Sequence, residues 1–355
     1  MPVNPQKRPG DNLNQVAVIQ TAKKSRNDEL VPTLKDKQLM EKGIARTTNL
    51  SAPIMKLEGH ESDIFSCEFH PDGEYLASAG FDRKIFVWSV FGEECQNVAV
   101  MSGHKGAIME MHFSPSGDSI YTCSTDKFVS VWNVETAQRI RKMKGHQNFV
   151  NSLGNARRGV ETLVSGSDDN TIKIWDARKK YVCHTFDNEY QVTAVCLNDT
   201  AEQVISGGID NDIKIWDIRK NEIVMKLKGH SDSITGLSLS PCGNYVLSNS
   251  MDNTCRIWDI RPYCSTDRCK TVFQGHTHNF EKNLLRCVWS KDGTMISAGS
   301  ADRFVYIWDV NSKKIVYKLP GHNGSVNDID FHPKEPIILS ASSDKTLYMG
   351  ELLEN

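Results

Sequence analysis

The chain has 355 residues, a formal net charge of −2 and a hydrophobic content of 39%. Such a chain can bury a large core, and its balanced charge argues against nucleic-acid binding by bulk charge. No apolar run approaches the ~18 to 20 residues of a membrane-spanning helix, and the N-terminus lacks the apolar core of a signal peptide. We therefore expect an intracellular protein whose ten cysteines are mostly unlinked, small buried side chains.

Residues 1–50 differ in composition from the rest of the chain. They hold four of the twelve prolines and no aromatic residue, so they cannot bury enough apolar surface to offset their ordering entropy. We predict a disordered tail over 1–50 and a folded body over 51–355. Nine Lys and Arg against five Asp and Glu give the tail a charge of +4 and leave the body at −6. The basic pair at Lys7 and Arg8 and the run from Lys23 to Arg26 suit a nuclear import signal or a plain solvated tail.

The body consists of seven repeats whose first residues are 42 to 46 positions apart. Each repeat begins with a Gly-His pair, except that Asp187-Asn188 stands there in the fourth. Six repeats end with an Asp that lies six residues before a Trp, and the seventh has Gly350 in place of the Trp. This period and these end signals are typical of propeller blades with four strands each. The histidines that mark the repeats are His60, His104, His146, His230, His276 and His322.

Short runs such as KIFVW (84–88) and VYIWD (305–309) are rich in β-branched and aromatic residues and are bounded by turn residues, as strands are. We predict an all-β, seven-bladed propeller in which each repeat supplies the outer strand of one blade and three strands of the next. The strand near Ile54 to Leu57 then completes the blade built from 325–351, which closes the ring and removes its exposed edges.

These motifs resemble the WD-repeat family, and the resemblance implies buried relays of a loop His, a strand Ser or Thr, a turn Asp and a Trp indole. Since such sets recur in repeat after repeat, we interpret them as structural and not as hydrolase triads. Repeats four, six and seven depart at Asn188, Ala298 and Gly350, and packing alone is expected to hold their blades. The four complete relays are His60, Ser78, Asp82, Trp88; His104, Thr122, Asp126, Trp132; His146, Ser165, Asp169, Trp175; and His230, Ser248, Asp252, Trp258.

No motif in the body indicates an enzyme. It has no phosphate loop, no H-E-x-x-H and no G-x-S-x-G elbow, so we expect neither catalysis nor a cofactor nor a small-molecule substrate. His276, His278 and Cys287 match no standard zinc spacing, and we expect no metal. Cys264 and Cys269 are expected to stay unlinked. Function is therefore expected on the two faces of the ring.

The face with the Gly-His loops is predicted to expose large apolar side chains, as a protein-binding platform does, although each could also pack against neighbouring loops. The opposite face is predicted to carry a basic patch, which could approach RNA phosphates or an acidic protein or could merely be solvated. We expect no aromatic platform for base stacking beside it. The apolar candidates are Phe65, Phe81, Met109, Phe149, Ile209 and Met251. The basic candidates are Arg157, Arg158, Arg178, Lys179, Lys180, Arg219, Lys220, Arg261, Lys313 and Lys314.

Repeat six contains four extra residues. Asp302 follows His276 by 26 residues, where the other repeats have 22 or 23. The insertion is expected within 277–283 on the Gly-His face, with His276 in the ordinary loop position. A plain surface bulge would explain it, but because it includes an aromatic residue we predict that it contacts a partner. The candidate contact residues are Asn279, Phe280, Glu281 and Lys282.

Longer segments, among them LASAGFDR (76–83), SGGIDNDIKIWDIR (206–219) and HNFEKNLLRC (278–287), resemble the WD-repeat subunits of the spliceosomal U5 small nuclear ribonucleoprotein. The resemblance covers essentially the whole body. It implies a non-catalytic scaffold in pre-mRNA splicing, located in the nucleus, that binds the large scaffold protein and the helicase of that particle, with RNA contact secondary. Its three W-D-x-R boxes, which end at Arg178, Arg219 and Arg261, resemble those of substrate receptors of cullin-RING ubiquitin ligases. The alternative function is therefore that of such a substrate receptor.

Overall fold

The computed structural model describes residues 48–92, 95–264 and 267–352. Nearly all of the predicted tail, with its basic residues, lies outside these ranges, and its disorder stays a prediction. The described residues form 28 strands in seven antiparallel sheets of four, which confirms the predicted all-β propeller. Alternating apolar and polar residues, with β-branched and aromatic side chains at the buried positions, account for the strands.

Blades one to three run from the centre of the ring outward, each in chain order. Blade one contains β2 (Ile64–Phe69), β3 (Tyr75–Gly80), β4 (Lys84–Ser89) and β5 (Asn97–Ser102), and the strand before them belongs to blade seven. Blade two contains β6 (Ile108–Phe113), β7 (Ser119–Ser124), β8 (Phe128–Asn133) and β9 (Arg139–Lys144). Blade three contains β10 (Val150–Asn155), β11 (Thr162–Ser167), β12 (Thr171–Asp176) and β13 (Val182–Asp187).

Blades four to six repeat this plan. Blade four contains β14 (Val192–Leu197), β15 (Gln203–Gly208), β16 (Ile213–Asp217) and β17 (Glu222–Leu227). Blade five contains β18 (Ile234–Leu239), β19 (Tyr245–Ser250), β20 (Thr254–Asp259) and β21 (Cys269–Gln274). Blade six contains β22 (Cys287–Trp289), β23 (Met295–Ala298), β24 (Val305–Asp309) and β25 (Ile315–Leu319).

Blade seven joins the two ends of the body. It contains β26 (Val326–Phe331), β27 (Ile337–Ser342), β28 (Thr346–Glu351) and, as its outer strand, β1 (Ile54–Glu58). The pairing of β1 with β28 places Ile54 opposite Gly350 and Glu58 opposite Thr346, which confirms the predicted closure. Leu50 is buried in the adjoining core, so ordered packing begins slightly before the predicted boundary at residue 51.

The core lies between blades, in seven clusters that each combine residues of two neighbouring sheets. The inner strands contact one another around the ring and surround a central channel. Loops that enter an inner strand, and turns between the second and third strands of a blade, lie on one side, the Gly-His face. Turns between the first and second strands, and between the third and fourth, lie on the opposite face.

Candidate functional site

The four implied relays are hydrogen-bonded and buried. In blade five, Nδ1 of His230 lies 2.8 Å from the Asp252 carboxylate and Nε2 lies 2.7 Å from the Ser248 hydroxyl. The Trp258 indole donates to the same hydroxyl at 2.8 Å. The relays of blades one to three have the same contacts at 2.7 to 3.0 Å. They tie a loop, a turn and two strands of each blade together.

The relay carboxylates are held in the charged form. Burial alone would raise the pKa of Asp126, but the hydrogen bond from His104 and backbone N–H groups outweigh it and lower that pKa to about 2. The pKa of Asp252 is lowered in the same way, against burial, by His230 and Thr254. The relay hydroxyls are buried, so no substrate reaches them. The Ser, His and Asp sets therefore act as structural clamps.

The expectation that packing alone holds blade four is wrong, because Lys214 replaces the missing His. Its buried ammonium lies 2.5 Å from the turn carboxylate of Asp210 and donates to the Asn188 amide oxygen at 2.6 Å. The Trp216 indole still donates to Ser206 at 2.8 Å. A cation that extends from the third strand thus reaches the acceptor that a loop His serves elsewhere.

Blades six and seven also contain polar clamps, so the same expectation is wrong for them. In blade seven, His322 bonds Asp344 at 3.1 Å and Ser340 at 2.9 Å, and the Tyr348 ring packs edge-on against the imidazole. In blade six the Tyr306 hydroxyl donates to Asp302 at 2.5 Å. A tyrosine therefore compensates for the departure from the pattern in each blade.

His276 does not keep the ordinary loop position that the repeat predicts. Its Nε2 lies 2.8 Å from the Asn249 amide oxygen of blade five and 3.8 Å from the Cys255 thiol. The Trp308 indole, which has no Ser at position 298, donates to the Gln274 carbonyl oxygen at 3.2 Å. The inserted loop has thus turned the histidine of repeat six towards the preceding blade.

The insertion also shortens the inner strand of blade six to three residues, β22, and directs Arg286 into the channel. The buried guanidinium donates to the carbonyl oxygens of Asn151 at 2.7 Å and Thr235 at 3.3 Å, and lies 3.4 Å from the Glu110 carboxylate. Arg286 therefore connects blades two, three, five and six across the centre. The repeat alignment misses this residue because its partners are 51, 135 and 176 positions away in sequence.

The rest of the channel is a cavity of about 490 Å³ with carboxylates in its wall. Each carboxylate accepts a backbone N–H from the next blade: Glu68 from Phe113, Glu110 from Leu153, Asp328 from Cys67 and Asp330 from Phe69. Burial raises the pKa of Asp328 to about 7, and burial together with Glu68 raises the pKa of Asp330 to about 8. These contacts assign the carboxylates to joining adjacent inner strands.

Three of the six apolar candidates on the Gly-His face are exposed in the structure: Phe81, Phe149 and Ile209. The other three, Phe65, Met109 and Met251, are only half-buried. Tyr190, which the sequence reasoning missed, is also exposed on this face, in the loop that enters blade four.

The insertion exposes Phe280 almost completely, at 97%. The loop is anchored on both sides of it: the backbone N–H of Thr277 donates to the Ser300 hydroxyl at 3.0 Å, and the Asn283 amide donates to Ser325 at 3.0 Å. An apolar ring therefore extends into solvent from a loop whose two ends are fixed to blades six and seven.

Carboxylates neutralise much of the predicted basic patch. The Arg178 and Arg261 guanidinium groups fold back onto Asp176 and Asp259, the aspartates of their own W-D-x-R boxes, at 2.9 and 2.5 Å. Arg219 pairs with Glu202 at 2.5 Å. Other cations of the patch have carboxylates within 3.5 to 3.9 Å, namely Arg158, Lys179 and Lys220.

The other members of the patch differ in their contacts. Arg157 donates to the carbonyl oxygens of Leu239 and Ser240. Lys180, Lys313 and Lys314 are exposed. Two aromatic side chains, Tyr181 and Tyr263, are exposed by 81% and 95% on the loops of the patch, and the absence of a platform for base stacking stays a prediction.

Other kinds of site find little support in the described residues. Within those ranges no three His, Cys, Asp or Glu side chains are grouped so as to hold a metal ion. A search of the same residues finds no helix with the length and apolarity that crossing a membrane requires. All ten cysteines lie in the described ranges, and none of them, including Cys264 and Cys269, is in a disulfide bond.

Comparison with known proteins gives matches along the whole body. The family model described as "WD domain, G-beta repeat" matches residues 51–89, 95–133, 137–176, 178–217, 221–259, 267–309 and 313–349. The chain is 62% identical over 314 residues to the U5 small nuclear ribonucleoprotein 40 kDa protein of Homo sapiens, covering 88% of each chain. It is 49% identical over 311 residues to the protein of that name in Dictyostelium discoideum, covering 87% of each.

A relative with another name matches over a similar length. The chain is 43% identical over 321 residues to pre-mRNA-splicing factor cwf17 of Schizosaccharomyces pombe, and the match covers 90% of this chain and 94% of the relative. The matches therefore span most of both chains in each comparison.

Proposed function

This chain belongs to the WD-repeat family, and within it to the U5 small nuclear ribonucleoprotein 40 kDa proteins, and from that premise we propose that it acts in pre-mRNA splicing. It serves there as a non-catalytic component of the U5 particle, in the nucleus. The observation that carries the proposal is that relatives from three organisms, matched over most of both chains, are named for that particle or for splicing.

Within the particle, the protein binds the large scaffold protein and lies beside the helicase. The Gly-His face supports this role because it exposes apolar side chains on several blades, as protein-binding surfaces do. The polar clamps of every blade hold the loops of this face in place, so little conformational freedom is lost when a partner binds.

Phe280 is the principal contact of this interface. A fully exposed aromatic ring on a loop fixed at both ends is suited to fill a pocket of a partner, and such anchors dominate binding energy. Asn279, Glu281 and Lys282 surround the ring, and the Glu281 backbone N–H donates to the Asn279 side chain at 3.1 Å. These residues present the ring and form the polar rim around it.

The test replaces Phe280 with Ser and measures how much of the U5 particle copurifies with the tagged full-length protein from nuclear extract. An aromatic anchor contributes about 2 kcal/mol or more, so the association should weaken by roughly thirtyfold. The melting temperature should not change, because the ring is solvated in the free protein. Deletion of Asn279 to Lys282 should have the same effect on association.

Tyr263→Ser is the matched control, since this ring is equally exposed but lies on the opposite face. It should leave the recovery of the particle unchanged. If Phe280→Ser retains full association, the bulge is not a contact and the interface lies elsewhere. If the wild-type protein recovers no U5 RNA or splicing proteins, the proposed function itself is refuted.

A further inference from the structure

One turn position carries a cation in four successive blades. This position follows the turn Asp, between the second and third strands, and it has a positive φ in all seven blades. Blades six, seven, one and two have Arg303, Lys345, Arg83 and Lys127 there, with φ between 65° and 74°. We call these four residues the cation arc. Blades three, four and five have an asparagine at the same position instead.

The members of the cation arc are exposed, and none of them forms an ion pair with a carboxylate of the described residues. All four side chains are exposed on the Gly-His face, and no carboxylate of the described ranges lies within the 4.0 Å of an ion pair. The aspartate that precedes each cation does not pair with it, because that aspartate is hydrogen-bonded to another side chain of its blade. These aspartates bond, in blade order six, seven, one and two, to Tyr306, His322, His60 and His104.

The remaining blades of this face carry the opposite charge. Among the exposed or half-buried groups of blades three to five are Asp168, Glu189, Asp212 and Asp232, while Lys228 lies 3.9 Å from Asp212. Two carboxylates lie near the cation arc as well. Glu61 pairs with Lys84 at 2.8 Å, and Asp63 interacts with the charge of Lys345 alone among the four cations. The Gly-His face is therefore divided into a basic side and an acidic side.

We propose that the cation arc binds an extended acidic segment of a partner protein. The inner strands of blades six, seven, one and two contact one another in that order, so the four cations follow a continuous curve. Face-packed sheets are about 10 Å apart, and an extended chain covers about 3.3 Å per residue. An acidic side chain at every third position of the segment would thus meet one cation on each blade.

The charge distribution favours an acidic protein segment over RNA. The cations are separated by a blade width, so they do not form the dense positive field on which phosphate binding depends. Single carboxylates at matched spacing can instead pair with the cations one at a time. The acidic blades three to five orient the segment, since they repel it from the other half of the face.

This inference deepens the proposed function, because it describes the chemistry of a partner on the same face. Its test is independent of the particle, however. It uses the isolated full-length protein and fluorescence anisotropy of a labelled peptide of about twelve residues, with Asp at every third position and Gly or Ser between. A second peptide has the same composition with its four Asp residues in one block.

The decisive variant replaces Arg83, Lys127, Arg303 and Lys345 with Asn. Asparagine already occupies this position in three blades of the same chain, at φ of 61° to 64°, so the turns should keep their conformation. Each exposed ion pair changes affinity by a factor of about two to five, so four together should weaken binding of the spaced peptide by roughly fifteenfold or more. Replacement of Lys180, Lys313 and Lys314 with Asn, on the opposite face, should change nothing.

Several results would overturn the proposal. If the fourfold variant binds the spaced peptide as well as wild type does, the arc is not the site. Equal binding of the two peptides would refute the spacing. If a single-stranded oligouridine binds wild type more tightly than the peptide, and the fourfold variant loses it, the partner is RNA. Particle recovery could survive any of these results, so failure here is distinguishable from failure of the proposed splicing role.

Discussion

Arg286 provides the sharpest test of how the ring is held together. Arg286 is only 6% exposed and Glu110 is 9% exposed, and the guanidinium group lies in the channel 3.4 Å from the Glu110 carboxylate. Arg286→Met keeps an unbranched apolar stem but removes the guanidinium group and its charge. Since removal of one partner of a buried ion pair leaves an uncompensated charge, we expect a loss of about 3 to 5 kcal/mol in the free energy of unfolding.

The loss should depend on pH in a defined direction. Burial alone would raise the pKa of Glu110, and in the wild-type protein Arg286 and His112 outweigh it and lower that pKa. Without Arg286, the pKa of this carboxyl in the folded state should rise above its unfolded value of about 4.3. A raised carboxyl pKa removes stability as pH increases through the interval between the two values. The variant should therefore lose more stability at pH 8 than at pH 5.

Urea titrations of the wild type, Arg286→Met, Glu110→Gln and the double variant supply the measurement. In the double variant the unpaired charge is absent, so it should be more stable than the sum of the two single losses predicts, by about 1 to 3 kcal/mol. A loss below about 1 kcal/mol for Arg286→Met, or additive losses that do not vary with pH, would refute the argument that Arg286 bridges the blades by charge.

Two further predictions concern the irregular blades. Lys214→Met should destabilise the protein by about 3 to 5 kcal/mol, because it leaves the Asp210 carboxylate buried and unpaired. Addition of Asn188→His should recover at least ~1 kcal/mol by restoring the usual His contact. If stability does not recover, Lys214 does not replace the histidine in blade four. Burial lowers the pKa of His276 to about 3, so the folded state stays neutral while the unfolded chain takes up a proton below pH ~6.5, and stability falls as pH decreases. His276→Gln should lose less melting temperature than wild type between pH 7.5 and pH 5, and an equal loss would contradict it.

The regular part of the fold could be predicted because its signals are local. The Asp-Trp spacing, the strand runs and the Gly-His pairs all lie within one repeat, and the position of β1 followed from their phase. The relays could be expected for the same reason, since their four members recur at fixed distances. Local patterns also located the insertion, because four additional residues change a distance that is otherwise constant.

The irregular clamps could not be predicted because three-dimensional proximity supplies them. Lys214, on the third strand of its blade, takes over the role of a loop His, and Tyr306 reaches Asp302 across a turn. An alignment of the repeats therefore shows only that the usual His or Ser is absent, and not which residue replaces it. Arg286 depends on blades that lie far away in sequence. The free positive charge of the basic patch was overestimated for a simpler reason. The prediction considered only the cations and omitted the carboxylates, such as Asp176 and Asp259, that lie beside them.

The cullin-RING alternative also remains open to a direct comparison. Two of the three W-D-x-R arginines, Arg178 and Arg261, are bound to the aspartate of their own box. An adaptor that recognised these guanidinium groups would first have to displace those ion pairs. The proposed splicing role makes no such demand, because it relies on the Gly-His face.

Affinity purification of the tagged full-length protein from nuclear extract tests whether the protein belongs to the U5 particle. We expect U5 RNA, the large scaffold protein and the helicase in the eluate, with chemical cross-links to the scaffold protein concentrated on the Gly-His face around Phe280. Recovery of cullin and adaptor subunits without U5 RNA, or of neither set, would contradict it.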